Sequence, residues 1–207
     1  MDFAKAFDKV PYQRLLGKLH HYGIQGWTLD WIAAFLTYCT QQVVIDGEAS
    51  KPAPVTSGVS QGSVLGPILF LCYINDLHEQ VSSRCRLFAD DSILYREIIT
   101  QKDCETNQAD LDALAEWEQR CGMEYQPDMC NILRVTRKRQ PVAATYTLRG
   151  HELKVINHAT YLGVEIANNL TWNTHINKVK TKANRTLGFI KRNVTTTSIH
   201  VGLFTNF

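Results

Sequence analysis

The spacing of apolar and polar positions predicts helices over residues 12–22 and 27–37, separated by Gly23 and Gly26. Residues 41–45 and 53–57 alternate in polarity, and Asp46-Gly47 between them is a hairpin-type turn. The longest apolar run, 64–74, follows a glycine-rich turn and predicts a buried helix over 68–77. Residues 102–121 form an amphipathic pattern, with Leu111, Leu114, Ala115, Trp117 and Glu118 near i, i+3, i+4 spacing. Strands are predicted at 2–4, 131–136, 145–148 and 161–166, with Gly150 marking a turn. A last helix is predicted over 175–192, capped by Asn173 or Thr174. Helices interspersed with antiparallel hairpins make an α+β domain a better fit than a doubly wound sheet.

Composition narrows the class. The chain has 207 residues, of which 44% are apolar, enough to bury one or two cores. The 64–74 run is too short to span a bilayer, so no membrane partner is expected. No basic stretch followed by an apolar one opens the chain, so no signal peptide is visible. The six cysteines include no C-x-x-C pair, which argues against zinc and redox chemistry. Reduced thiols and an intracellular site, cytoplasmic or nuclear rather than secreted, are expected. The net charge of +2 hides an asymmetry. Residues 1–131 carry 10 basic and 18 acidic side chains, and residues 132–207 carry 12 and 2. That split suggests metal or catalysis in the first part and a polyanion in the second.

The chemistry centres on Phe88-Ala89-Asp90-Asp91, two adjacent carboxylates between the apolar runs 86–88 and 93–95. The layout reads as strand, tight turn, strand, with the acids at the tip. Two such charges ~4 Å apart at an effective dielectric of ~20 repel by roughly 4 kcal/mol. A divalent cation removes that penalty, and hard oxygen donors suit Mg²⁺. Asp2-Phe3-Ala4-Lys5-Ala6-Phe7-Asp8 supplies a third carboxylate and an aromatic five residues on. Residues 57–67, a turn rich in Gly and Ser around Gln61, run into the apolar helix. Gly58 and Gly62 there would let a backbone approach a ligand closely, and the helix N-terminus favours an anion. Three acids, an aromatic and a glycine-flanked Gln together point to nucleotidyl transfer.

These segments resemble, in order and spacing, the motifs of reverse transcriptases, most nearly those of non-LTR (LINE-type) retrotransposons. The resemblance rests on Asp2 to Asp8, on 57–67, on Phe88 to Asp91 and on Tyr161-Leu162-Gly163-Val164. Ile74-Asn75-Asp76-Leu77, Thr136-Arg137-Lys138 and residues 182–189 add to it. It implies a polymerase palm, an antiparallel sheet with packed helices, over 1–168, and the start of a helical thumb over 169–207. It implies two Mg²⁺ ions, with Mn²⁺ as a substitute, on Asp2 and Asp90 with Asp91 beside them. On the nucleotide side, the Phe3 carbonyl would add a ligand and Phe7 would be the gate that rejects a ribose 2′-OH. Gln61 and Gly62 would line the incoming nucleotide and template base. The Tyr161-Leu162-Gly163-Val164 hairpin would grip the primer end through Tyr161, Leu162 and Gly163, while Lys178, Lys182 and Arg185 would contact the nucleic-acid backbone. The implied partners are an RNA template, a DNA primer and dNTPs; nothing in the pattern sets an oligomeric state.

Three departures from the family pattern shape the expectation. The fingers region that precedes the first catalytic acid is expected to be largely missing. Met129 stands where a Lys usually precedes Cys130, and loss of a general acid typically costs about 10²- to 10⁴-fold. Ser60 replaces the usual Pro before Gln61, which loosens the turn. The isolated fragment is therefore expected to be nearly inactive. A decayed or co-opted copy that at most binds nucleic acid is the alternative. A metal-dependent nuclease is a weaker third reading, because it leaves Phe7 and Gln61 without a role.

Overall fold

The computed structural model describes residues 1–194. Its long helices are α1 (Tyr12–His21), α2 (Trp27–Leu36), α3 (Leu65–Ile74), α4 (Gln101–Cys121) and α5 (Asn173–Asn193). Short strands pair antiparallel, as Arg84–Phe88 does with Asp91–Tyr95 and Thr147–Leu148 with His151–Glu152. The described residues divide into two compact units, one formed by Met1–Ile132 with Gln140–Lys154, the other by Leu133–Arg139 with residues 155–194.

In the first unit Leu15 and Leu19 of α1, Ile32 and Leu36 of α2, and Leu69, Phe70 and Tyr73 of α3 are all buried. Leu111, Leu114 and Trp117 of α4 join the same core. Helix α4 is bounded as its sequence dictates. Thr100 and Asp103 form a reciprocal capping box, and Gly122 ends the helix in the left-handed conformation at φ 66°. Helix α3 starts three residues earlier than the apolar run predicts. Ser63 Oγ accepts the Gly66 N–H at 2.9 Å, satisfying a donor of the first turn. The predicted end at residue 77 is replaced by a 3₁₀ turn over Asn75–Gln80.

The Asp46-Gly47 turn forms, with Val44–Ile45 against Glu48–Ala49. Thr40–Gln41 pairs further out with Ala53–Pro54. Every residue from 40 to 54 on this ribbon is exposed.

The second unit corrects two expectations. The single strand that the polarity pattern predicts over 161–166 is instead the hairpin that the resemblance implies, His158–Tyr161 against Val164–Ala167. Leu162 and Gly163 both take positive φ, 47° and 80°, the sign pattern of a type I′ turn that reverses the chain. The cap of the last helix is also displaced. Asn173 is already helical and Trp172 occupies the cap without a side-chain bond. Asn169 instead closes an Asx turn, accepting the Thr171 N–H at 3.1 Å. Lys178 ties α5 to the hairpin, 2.5 Å from Glu165 and 2.9 Å from Thr160 Oγ1. The apolar stripe Ile176, Val179, Ala183, Leu187 and Ile190 lies exposed along α5.

Candidate active site

Asp2 lies on an inner strand. On one side the Ser92 N–H donates to the Met1 carbonyl at 3.1 Å, and the Met1 amino group donates back to the Ser92 carbonyl at 2.8 Å. On the other side the Ala4 N–H donates to the Glu124 carbonyl at 2.8 Å, and the Gln126 N–H to the Asp2 carbonyl at 2.9 Å. Phe3 and Tyr125 form the antiparallel bridge between these bonds. Their rings stack at 4.1 Å and 14°, and both are buried. The strand order is thus Arg84–Phe88, Asp91–Tyr95, the Asp2 segment, then residues 124–126. Backbone bonds on both sides and an aromatic stack below fix the Asp2 backbone.

The neighbouring hairpin carries the other two acids. Arg84–Phe88 pairs with Asp91–Tyr95 in the register Phe88 to Asp91, which leaves Ala89 and Asp90 as the two turn residues. Ala89 alone has positive φ, 51°, the sign pattern of a type II′ turn, whose first position normally holds Gly. That strained alanine puts Asp90, half-buried, and Asp91, exposed, at the end of the hairpin beside Asp2. Burial, then the charges of Asp90 and Asp91, push the Asp2 carboxyl above its ordinary range. The three carboxylates therefore share one field. Among the described residues, however, no group of three His, Cys, Asp or Glu side chains is placed to hold a metal ion. The donor set fits a hard divalent cation, being three carboxylates whose mutual repulsion such an ion relieves.

The glycine-rich turn packs on the segment that follows Asp2. The Val59 N–H donates to the Phe7 carbonyl at 2.7 Å, the Gly58 N–H to the Val10 carbonyl at 2.8 Å, and Ser57 Oγ to the Asp8 carbonyl at 2.8 Å. A Cβ on Gly58 would meet the Asp8 and Phe7 backbones at 2.9 Å, and its φ is +98°. The close approach at Gly58 is therefore to the chain itself, which corrects the expectation that it faces a ligand. Gly62, at φ +96° with nothing near its missing Cβ, keeps that freedom. Gln61 beside it is exposed. Phe7 stacks on Phe70 of α3 at 4.6 Å and 20°, which holds its half-buried ring in place.

Comparison with known proteins gives the family. Residues 1–166 match the family model of the reverse transcriptase (RNA-dependent DNA polymerase). The chain belongs to the reverse transcriptase family. It is 31% identical over 188 residues to a protein named "Probable RNA-directed DNA polymerase from transposon X-element" of Drosophila melanogaster, covering 88% of this chain and 20% of that one. It is 26% identical over 189 residues to the RNA-directed DNA polymerase from mobile element jockey of the same species, covering 87% and 20%. With the retrovirus-related Pol polyprotein from type-1 retrotransposable element R2 of Popillia japonica it shares 25% over 221 residues, covering 92% and 36%. The chain thus spans about a fifth to a third of the length of these relatives.

In this reverse transcriptase chain the remaining predicted residues fall in the second unit. Tyr161, Leu162 and Gly163 occupy the tip of its hairpin. Lys178 is engaged with Glu165, whereas Lys182 and Arg185 are exposed on α5. Asp2, Asp90 and Asp91 lie apart from a cavity of about 480 Å³ in the first unit, which is lined by residues such as Arg14, Lys18, Asp76 and Arg120. Two buried carboxylates brace these strands, and of them only Glu118 falls in the apolar spacing predicted for α4. Asp110 accepts the Ser82 and Ser83 N–H groups, both at 2.8 Å, just before the acid-bearing hairpin. Glu118 accepts the Tyr125 N–H on the far side of the strand next to Asp2. Their signal is phase: 110, 114, 117, 118 and 121 fall on one face of α4 with Leu114, Trp117 and Cys121.

Proposed function

We propose that this chain is the palm of an RNA-directed DNA polymerase, extending a DNA primer along an RNA template with dNTPs. The observation that carries the reading is the pairing of the Asp2 segment with the strand that follows Asp91. It brings acids from two distant stretches of sequence to the same end of neighbouring strands.

In this reading Asp2 and Asp90 hold divalent cations, Mg²⁺ or Mn²⁺, with Asp91 beside them and the Phe3 carbonyl as a further oxygen. When bound, such ions activate a primer 3′-OH and offset charge on the triphosphate. The chain's own residues do the positioning. The Phe7 ring, braced by Phe70, blocks the space that a ribose 2′-OH needs. Gly62, with no side chain, lets the nucleotide approach the backbone, and Gln61 lines the same turn. Tyr161, Leu162 and Gly163 hold the primer end. Lys182 and Arg185 meet phosphates of the duplex, and Lys178 braces the helix that carries them. The domains divide as palm over 1–168 and the start of a thumb over 169–207.

Primer extension on a homopolymeric RNA template with Mg²⁺ or Mn²⁺ tests the reading. Slow extension is expected, because Met129 offers no proton to the departing pyrophosphate. Asp90→Asn should abolish it. A chain that neither extends a primer nor binds Mn²⁺ refutes the proposal.

A further inference from the structure

Glu118 is a buried carboxylate in an expensive place. Its side chain is 2% exposed, and Oε2 has no hydrogen-bond partner. Its nearest cation, Arg149 Nη1, is 3.9 Å from Oε1. Burial pushes the carboxyl upward, against the Tyr125 N–H and Arg149, which pull it down. A methionine or leucine of similar size would fill the space without an unpaired polar oxygen. The position therefore needs a reason beyond packing.

Strand geometry supplies one. The bonds Ala4 to Glu124 and Gln126 to Asp2 flank the Phe3–Tyr125 pair. In such an antiparallel ladder the N–H of the middle residue points away from its partner strand. The Tyr125 N–H does so, and Glu118 Oε1 takes it. The adjacent Trp117 ring lies 6.1 Å from Phe3. Successive residues of α4 thus hold both strands, Trp117 through the Phe3 ring and Glu118 through the Tyr125 backbone. Charged acceptors make shorter and stronger bonds than neutral ones, so the acid fixes this strand tightly.

We infer that Glu118 is a positioning residue for Asp2, setting strand 124–126 and, through its two backbone bonds, the strand that carries Asp2. The inference rests on the polymerase reading of Asp2 and adds to it a residue that touches neither substrate nor metal.

The test uses the whole chain with Mn²⁺ as the probe, titrated by electron paramagnetic resonance. Hydrogen exchange at the Ala4 and Gln126 amides is measured alongside. Glu118→Gln keeps an acceptor and should bind Mn²⁺ within about threefold of the parent. Glu118→Leu removes it and should weaken binding about tenfold or more, because small displacements of a reacting group are costly. Its Ala4 and Gln126 amides should exchange faster. Leu114→Ala, a cavity elsewhere on α4, lowers stability but should leave Mn²⁺ affinity unchanged. If Glu118→Leu does not fold, Glu118→Met makes the same comparison. Parental affinity in the Leu or Met variant overturns the inference and leaves the polymerase reading intact. A Gln variant as weak as Leu overturns the acceptor argument. A parent chain that binds no Mn²⁺ overturns the polymerase reading, and this inference with it.

Discussion

Asp110→Ala should be the most damaging single truncation of a polar side chain in the first unit. Asp110 is 5% exposed and closes the open end of the hairpin whose tip carries Asp90. It accepts two backbone N–H groups at 2.8 Å and the Ser82 hydroxyl at 3.1 Å. Arg96 completes the cluster, donating to Ser83 Oγ at 2.8 Å and Ser82 Oγ at 2.7 Å, with Asp110 4.0 Å away. Bonds to a charged group contribute about 1.5–3 kcal/mol each, and removing one partner from a buried charged cluster costs about 3–5 kcal/mol. Asp110→Ala should therefore lose about 3–5 kcal/mol, a Tm drop of roughly 10 °C for a domain of this size. Asp110→Asn keeps one acceptor oxygen and should lose about half as much. Burial raises the Asp110 carboxyl, but the bonds from Ser83 and Ser82 outweigh it and hold it below its ordinary range. A depressed folded value means stability present above the unfolded value and lost as pH falls through the folded one. The gap between parent and Asp110→Asn should thus close below the ordinary carboxylate range. Urea melts at neutral and acid pH read both effects. An Ala variant within about 1 kcal/mol of the parent, or a gap independent of pH, would refute the reasoning.

Other perturbations separate backbone effects from chemistry. Gly58→Ala forces a Cβ against the Asp8 and Phe7 backbones at a positive φ, and should lose more than about 2 kcal/mol in a denaturant melt. Ala89→Gly should gain up to about 1 kcal/mol in the same assay, since Gly takes the left-handed conformation without penalty. Met129 is 55% exposed, so Met129→Lys should fold normally. In the polymerase reading it should raise the single-turnover extension rate about 10²-fold or more.

The helices were the legible part. Periodicity bounded α4 to within a residue, and the folded chain shows Thr100, Asp103 and Gly122 capping it locally. The Asp46-Gly47 turn was readable for the same reason. The 158–167 hairpin came only from the family resemblance and not from the polarity pattern, since Leu162 carries no signal for the left-handed conformation it adopts. At the site, the acids and the turn around Gln61 stood out by residue type and spacing. The neighbour of Asp2 did not, because Tyr125 is a distant strand partner that no local pattern names. Asp110 was hidden by its charge, and Glu118, although counted in the apolar spacing of α4, gave no sign of its Tyr125 partner. Acids on an amphipathic helix read as solvent-facing unless their phase is followed, and both share the phase of Leu114 and Trp117. Gly58 was noticed for its freedom, but what it approaches is the Asp8 backbone, a contact only the folded chain reveals.

The strand that carries Asp2 also sets when the site can exist during folding. One of its neighbours, Ser92, lies 91 positions downstream, and the other, Tyr125, lies further still. Contacts that distant close large loops before any bond rewards them, so they form slowly and late. On a ribosome, the helices preceding Asp90 emerge and can pack while Asp2 still has only one edge to join. The acid cluster is completed only after residue 126 is free to pair. Until then its precursors expose unpaired strand edges, a window in which a growing chain is open to chaperones and to mispairing. Pulse labelling during refolding should find the Ala4 and Gln126 amides gaining protection together, after those of α1 and α4.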